Sequence, residues 1–324
     1  MITKTDILRL PYTPDLTEGG IAYALRSLAH SYDRGRSVSY SRLRHIVASI
    51  VVELAFRRHL SQNNIPFDVK AAVPLTERER FDVTLNGRRC NLVSYLISRR
   101  EQAIALRSDP SILLKAPAIV PSDAHAGDAH LLNDIYIFGF LSGLVTGSQA
   151  DLQKALGNKK PHHLVHVMPE SWRKPQNWNP FGAVTLKSDS DEELIVEVNG
   201  QSQSREMSRC TVSLPPRAKV TLDESFYSIT HLHVRRIPEA RVGIRCESIE
   251  DTHVIPNAEW HNLWVYGMDI FMAGYVSYEE FGHTAKPLLP GSKVYQYEKT
   301  RVKNLALPIS KLKPMTRLLE TMKS

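Results

Sequence analysis

Two stretches far apart in this chain read almost alike: Asp134-Ile-Tyr-Ile-Phe-Gly-Phe-Leu-Ser and Asp269-Ile-Phe-Met-Ala-Gly-Tyr-Val-Ser. Each is an acid, an apolar and aromatic run carrying one glycine, and then a serine. A run of this kind suits a strand covered on both faces, which needs layers of structure above and below its sheet. Two copies are too few for a repeat architecture. The expectation is therefore two strands of one sheet, with the polar, β-patterned segment 160–235 inserted between them.

The first half has a clear order. One helix is expected over Gly20–His30, then a basic turn at Asp33–Ser37. Leu43, Ile46, Val47, Ile50, Val51 and Leu54 recur at helical spacing and predict a helix over Ser41–Gln62, ended by Asn63-Asn64-Ile65-Pro66. Strands are expected at Phe67–Pro74, Phe81–Leu85 and Arg89–Ile97. Asn86-Gly87 between the last two is a strong hairpin signal. A polar helix, Arg99–Arg107, a loop over 116–127, the Asp134 strand and a helix at Ser148–Leu156 follow. Near Lys159 the pattern turns to β alternation, as in Glu193-Leu-Ile-Val-Glu-Val, with Asn199-Gly200 predicting a second hairpin and Pro215-Pro216 a turn. A final helix is expected over Met315–Met322. The fold class expected is mixed α/β, with helices and core over 1–158, a β-rich module over 159–235, and a mixed part over 236–324 that completes the core.

Composition narrows the function classes. No apolar run approaches the ~18 residues of a membrane span, and the N-terminus lacks an apolar signal core, so a cytoplasmic setting without membrane contact is expected. Cys90, Cys210 and Cys246 are odd in number and widely spaced, which argues against a disulfide framework or a cysteine-rich zinc site. Neither the group His162, His163 and His166 nor the pair His231 and His233 has a Cys or carboxylate partner at metal-ligand spacing. A Gly-rich phosphate loop and a Gly-x-Ser-x-Gly elbow are absent. The formal net charge is +7 and the pI about 9.2, a balance that attracts polyanions.

The order helix, strand, hairpin, helix, strand over residues 40–145 resembles the PD-(D/E)XK, or restriction-endonuclease-like, superfamily, and the inserted or appended β module would be an accessory. The resemblance places a metal-binding carboxylate at Asp82, in Arg80-Phe81-Asp82-Val83, just before the Asn86-Gly87 turn. The acid and lysine of the next strand would fall at Asn91 and Val93, in Cys90-Asn91-Leu92-Val93-Ser94. Asn is a weak neutral ligand and Val carries no charge, so the cleavage signature is largely erased. Glu53, on the first helix, matches a glutamate often found near the metal, and Gln102 matches a glutamine of some members. Read without the resemblance, Asp82 is a strand-edge acid, Glu53 the rim of an apolar stripe, Asn91 a surface residue and Gln102 helical surface.

What the resemblance implies is a DNA-binding protein with an impaired site, in DNA processing, mobile-element biology or antiviral defence, within a complex that includes other protein subunits. The competing reading is an active Mg²⁺-dependent deoxyribonuclease. In it Asp82 and Glu53 hold the metal, and Lys70, Asp68 or Glu101 supplies the missing charges. A third is a structural interaction subunit. Candidate phosphate contacts are Arg34, Arg36, Arg57, Arg58, Arg88, Arg89, Arg99, Arg100, Arg301 and Lys303, because guanidinium forks suit phosphate.

Overall fold

A computed structural model describes residues 2–29, 39–69, 82–127, 130–175 and 181–322. The chain opens with β1 (Leu8–Leu10), α1 (Pro14–Ser27) and α2 (Tyr40–Gln62), followed by β2 (Val83–Leu85), β3 (Arg88–Ile97), α3 (Arg100–Ser108), β4 (Pro117–Pro121), α4 (Ser122–His125) and β5 (Ile135–Leu144). Then come α5 (Gln149–Gly157), β6 (Leu164–Val167), α6 (Glu170–Arg173), β7 (Val184–Ser188), β8 (Leu194–Gln201), β9 (Met207–Leu214), β10 (Lys219–Thr221), β11 (Ser228–Val234), β12 (Val242–Cys246), β13 (Ile249–Ile255) and β14 (His261–Asn262). The last stretch holds β15 (Tyr266–Ser277), α7 (Tyr278–Thr284), β16 (Lys286–Leu288), β17 (Asn304–Pro308) and α8 (Met315–Glu320).

The chain divides into two units. One comprises Met1–Gly20, His45–Leu144 and Val265–Ser324; the other comprises Ile21–Arg44 and Val145–Trp264. These boundaries differ from the expected 158/159 and 235/236. The composition shift near Lys159 marks where β patterning starts, whereas the division follows sheet membership. β5 and β15, the two look-alike stretches, lie side by side and antiparallel in the first unit. Everything between them, from Val145 to Trp264, belongs to the second.

The main sheet of the first unit has the order β1-β15-β5-β3-β2. β3 and β5 run parallel and the other pairs antiparallel. A parallel pair needs a crossover, and α3 lies in that connection. The result is a mixed α/β fold. Nine of the ten residues of β5 are buried, as a strand with both faces covered requires. On one face an added Cβ at Gly139 would come within 2.7 Å of Val52 Cγ1, so α2 lies directly over the strand. Tyr95, Tyr136, Phe138, Phe140 and Phe271 form the apolar cluster of the other face.

Local signals explain the elements that frame α2 and β2. α2 buries Leu43, Val47, Val51, Ala55, Phe56 and Leu60 along one stripe. Asn64, at φ 54°, ends it. The amide of Ile65 donates to the carbonyl of Leu60, and that of Asn64 to Ser61, the Schellman pattern with asparagine in the left-handed position. Asn86 and Gly87 both have positive φ, the requirement of a tight type I′ hairpin turn, and they join β2 to β3 as expected.

Asn199-Gly200 is different. The expected hairpin is not there: both residues lie inside β8, and the turn comes later, through Ser202 to Glu206 with Arg205 at φ 62°. An added Cβ at Gly200 would fall 1.9 Å from the Ser228 carbonyl oxygen, where the β8–β11 ladder shifts register. Glycine here permits close approach of a neighbouring backbone instead of a turn.

The second unit holds two sheets, β14-β6-β11-β8-β9 and β10-β7-β12-β13. Their apolar sides share one cluster that includes Trp172, Phe181, Leu186, Val196, Val198, Phe226, Leu232, Ile244 and Trp260. Histidines are built into the five-stranded sheet. Burial and the neighbouring His233 push the His231 imidazole down to about 3. Burial and the adjacent His253 take His166 down to about 4, its Nε2 lying 2.9 Å from His253 Nε2. The native unit therefore binds fewer protons than the unfolded chain below the ordinary histidine value of 6.5. Each of these groups withdraws about 1.4 kcal/mol per pH unit once the pH drops below that value. Urea unfolding followed by tryptophan fluorescence should show the stability of this unit flat above pH 6.5 and falling steeply toward pH 4. His231→Gln should make that fall shallower, and an unaltered slope in the variant would show that this burial is not what the pH dependence reads.

Candidate functional site

Glu53 on α2 lies close enough to Asp82, at the bend that opens β2, to feel its charge, and one arginine contacts both residues. Arg57, one helical turn beyond Glu53, hydrogen-bonds Glu53 Oε1 and donates to the Asp82 backbone carbonyl at 3.2 Å. Asp82 Oδ2 accepts the Leu92 amide at 2.6 Å, and the Asp82 amide donates to the Cys90 carbonyl. The carboxylate thus extends the β2–β3 ladder past the end of β2 and caps an amide that would otherwise be unpaired. Burial, reinforced by the Asp82 charge and opposed by Arg57, raises Glu53 to about 7. Burial likewise raises Asp82, against the Leu92 amide and Arg57.

The positions expected to complete a nuclease site lie elsewhere. Ser94 Oγ is 2.9 Å from Ser49 Oγ of α2, and Ser94 stands beside Gly139, the residue under Val52. The Cys90, Leu92 and Ser94 side of β3 therefore looks at α2. Strand alternation turns Asn91 and Val93 to the opposite face, where Val93 packs on the Tyr95–Phe138 cluster. Asn91 is not brought together with Asp82 and Glu53. Asp82 itself sits at a bend, outside the alternation of β2. Gln102 Nε2 donates to the Tyr295 carbonyl at 3.2 Å and holds that segment. Glu101 is exposed on α3, and Asp68 bridges to Thr84 at the edge of β2. Lys70, Arg34 and Arg36 lie outside the described residues.

Mg²⁺ demands near-octahedral oxygen ligation, and the acid pair as placed does not suit it. Asp82 is committed to the Leu92 amide and Glu53 to the Arg57 guanidinium. Among the described residues, no group of three His, Cys, Asp or Glu side chains could hold a metal ion. Cys90 offers no nucleophile, because burial pushes its thiol up to about 12.

The expected phosphate contacts separate into two groups. Arg89 forms a two-pronged pair with buried Asp134, Nε to Oδ1 at 2.8 Å and Nη2 to Oδ2 at 2.7 Å. Arg58 donates to Thr13 Oγ1 at 2.7 Å and pairs with Asp15. With Arg57, these side chains are committed to the protein itself. Arg88, Arg99, Arg100, Arg301 and Lys303 are exposed, Arg99 lying 3.5 Å from Glu298. Sequence reasoning passed over Arg9 and Arg107, which converge on Asp269. The likeness of the Asp134 and Asp269 stretches marked the acid, but nothing local marked its partners.

No protein-family model, curated protein sequence or solved structure matches this chain. Among the described residues, no helix is long and apolar enough to cross a membrane.

Two outcomes follow from this geometry. Glu53 weakens the fold as pH rises from 4.5 to 7, because the unfolded chain gives up its proton first. Glu53→Gln should therefore add about 3 kcal/mol of unfolding free energy at alkaline pH and nothing at pH 4, and a pH-independent effect would refute the buried-acid account. Arg89→Ala strands the buried Asp134 charge, so chemical denaturation should show a loss of about 3–5 kcal/mol. Arg89→Ala combined with Asp134→Asn should recover part of it.

Proposed function

We propose that this chain binds nucleic acid, DNA in the first instance, on a restriction-endonuclease-like scaffold whose cleavage site no longer functions. What supports the reading is helix α2, the β2–β3 hairpin, helix α3 and, after β4 and α4, strand β5 parallel to β3, with Glu53 beside Asp82 and Arg57 hydrogen-bonded to Glu53 and to the Asp82 backbone carbonyl; most of the strand expected at Phe67–Pro74 lies outside the described residues. Arg57 supplies one positive charge beside Glu53, half that of a divalent metal, and neither its Lewis acidity nor its bound water. The side of β3 that looks at the pair carries Leu92 and Ser94, neither of which can replace an acid or a lysine. Support for binding comes from the net charge of +7 and from the exposed Arg88, Arg100, Arg301 and Lys303. Assembly with other protein subunits belongs to the same proposal by analogy of scaffold alone.

The test is a single gel series with supercoiled plasmid and short duplexes, with Mg²⁺ or Mn²⁺ present. The expected outcome is binding that weakens steeply with salt, intact DNA at every metal concentration, and the same result with Asp82→Ala. Cleavage that Asp82→Ala abolishes would instead establish a nuclease whose missing charges come from other residues. Neither binding nor cleavage would make the scaffold a protein-interaction module.

A further inference from the structure

We infer that the outer face of α3, together with Arg9 of β1, is the surface that grips the phosphate backbone of DNA. The inference rests on the nucleic-acid reading above. α3 buries Ala103 and Leu106 and turns Arg100, Ile104 and Arg107 outward. Positions i, i+4 and i+7 form one helical stripe. Glu101, an acid of the same helix, sits about 100° around the helix axis from Arg100.

The stripe ends on a built arrangement. Asp269 of β15 is buried, its side chain 4% exposed, beside the register shift that separates it from Gly267. Arg9 hydrogen-bonds its Oδ1, and Arg107 Nε stands 3.8 Å from its Oδ2. That second oxygen has no hydrogen-bond partner among the described residues. Both arginine side chains are 58% exposed.

Two cations sharing one buried carboxylate leave a net positive charge at the surface. Each guanidinium has five N–H donors, so one side can rest on Asp269 while the remaining donors face water. Asp269 is a positioning residue, holding two long side chains from separate elements at one place and reducing the entropy lost when a phosphate is bound. Arg100 adds a further exposed charge, and Ile104, 52% exposed, lies between the arginines as an apolar surface for sugar. Arg57 and Arg89 offer no comparable arrangement, their side chains being only 26% and 13% exposed, and Arg58 pairs with an exposed acid, Asp15, not with a buried one. Charge complementarity selects the occupant, a polyanion presenting successive phosphates.

Fluorescence anisotropy of a labelled duplex, titrated across a NaCl series, tests the assignment. Arg100→Gln, the R9Q/R107Q double variant and the charge-preserving R9K/R107K are compared with Arg217→Gln, an exposed arginine paired with Asp191 in the other unit. Each phosphate contact removed should lower the slope of log K against log salt by about 0.9 and weaken all duplex sequences alike. Arg100→Gln should show one such step and R9Q/R107Q two, while R9K/R107K and Arg217→Gln keep the wild-type slope. Because R9Q/R107Q strands Asp269, its folding is checked by circular dichroism, and Arg100→Gln carries the test if it unfolds. Wild-type affinity and slope in Arg100→Gln and a folded R9Q/R107Q would overturn the α3 surface and leave DNA binding standing. So would an equal loss in Arg217→Gln, which would show that net charge alone matters. No DNA binding by the wild-type chain would overturn both this inference and the function on which it rests.

Discussion

The pairing of β5 with β15 is the constraint on which the first unit depends. β5 sits at the centre of the main sheet, parallel to β3 on one side and antiparallel to β15 on the other. A strand so placed has no polar face, so both sides must be apolar and both must be covered. α2 lies over one side, and the aromatic cluster of Tyr95, Phe138 and Phe140 fills the other. The ladder also brings the end of β5 beside the start of β15, so the long segment between them leaves and returns at neighbouring points. A long insertion is thermodynamically tolerable there, since the cost of closing a loop grows only slowly with its length.

Within that frame the acid pair is a local electrostatic compromise. Burial makes ionisation costly for both Glu53 and Asp82, and the Asp82 charge adds to that cost for Glu53. Arg57 offsets part of this cost, and the Leu92 amide offsets part of it for Asp82. As placed, each carboxylate has a partner within the protein: Glu53 has Arg57, and Asp82 has the Leu92 amide.

Arginine allocation gives the functional reading its detail. A guanidinium beside a fully buried acid, as Arg89 is beside Asp134, is engaged inward and has little left for a ligand. A guanidinium that meets a buried acid while staying largely exposed, as Arg9 and Arg107 do at Asp269, is held in place with donors to spare. The two look-alike strands therefore use their acids differently. Asp134 precedes the first residue of β5, whereas Asp269 lies inside β15 next to a register shift. The partner arginines differ in turn, Arg89 being 13% exposed and Arg9 58%.

Much of the element order could be read in the sequence because it depends on neighbours in the chain. The spacing of Leu43, Val47 and Val51 dictates a helix, Asn86-Gly87 dictates a tight turn, and the run after Asp134 dictates a buried strand, whatever surrounds them. Asp82 and Glu53 could be picked out as a pair only through a family likeness, and the structure brings them together. Tertiary structure alone decided three other matters. It decided that Asp82 and Asn91 point apart, because Asp82 sits at a bend before β2 while Asn91 follows the alternation of β3. It made Gly200 a point of close backbone approach instead of a turn, because the Ser228 carbonyl belongs to a strand distant in sequence. It also decided which arginines are covered and which stay exposed. An arginine's partner is chosen by distance in space, and the residues that bind Arg9 and Arg89 lie 260 and 45 positions away in the chain.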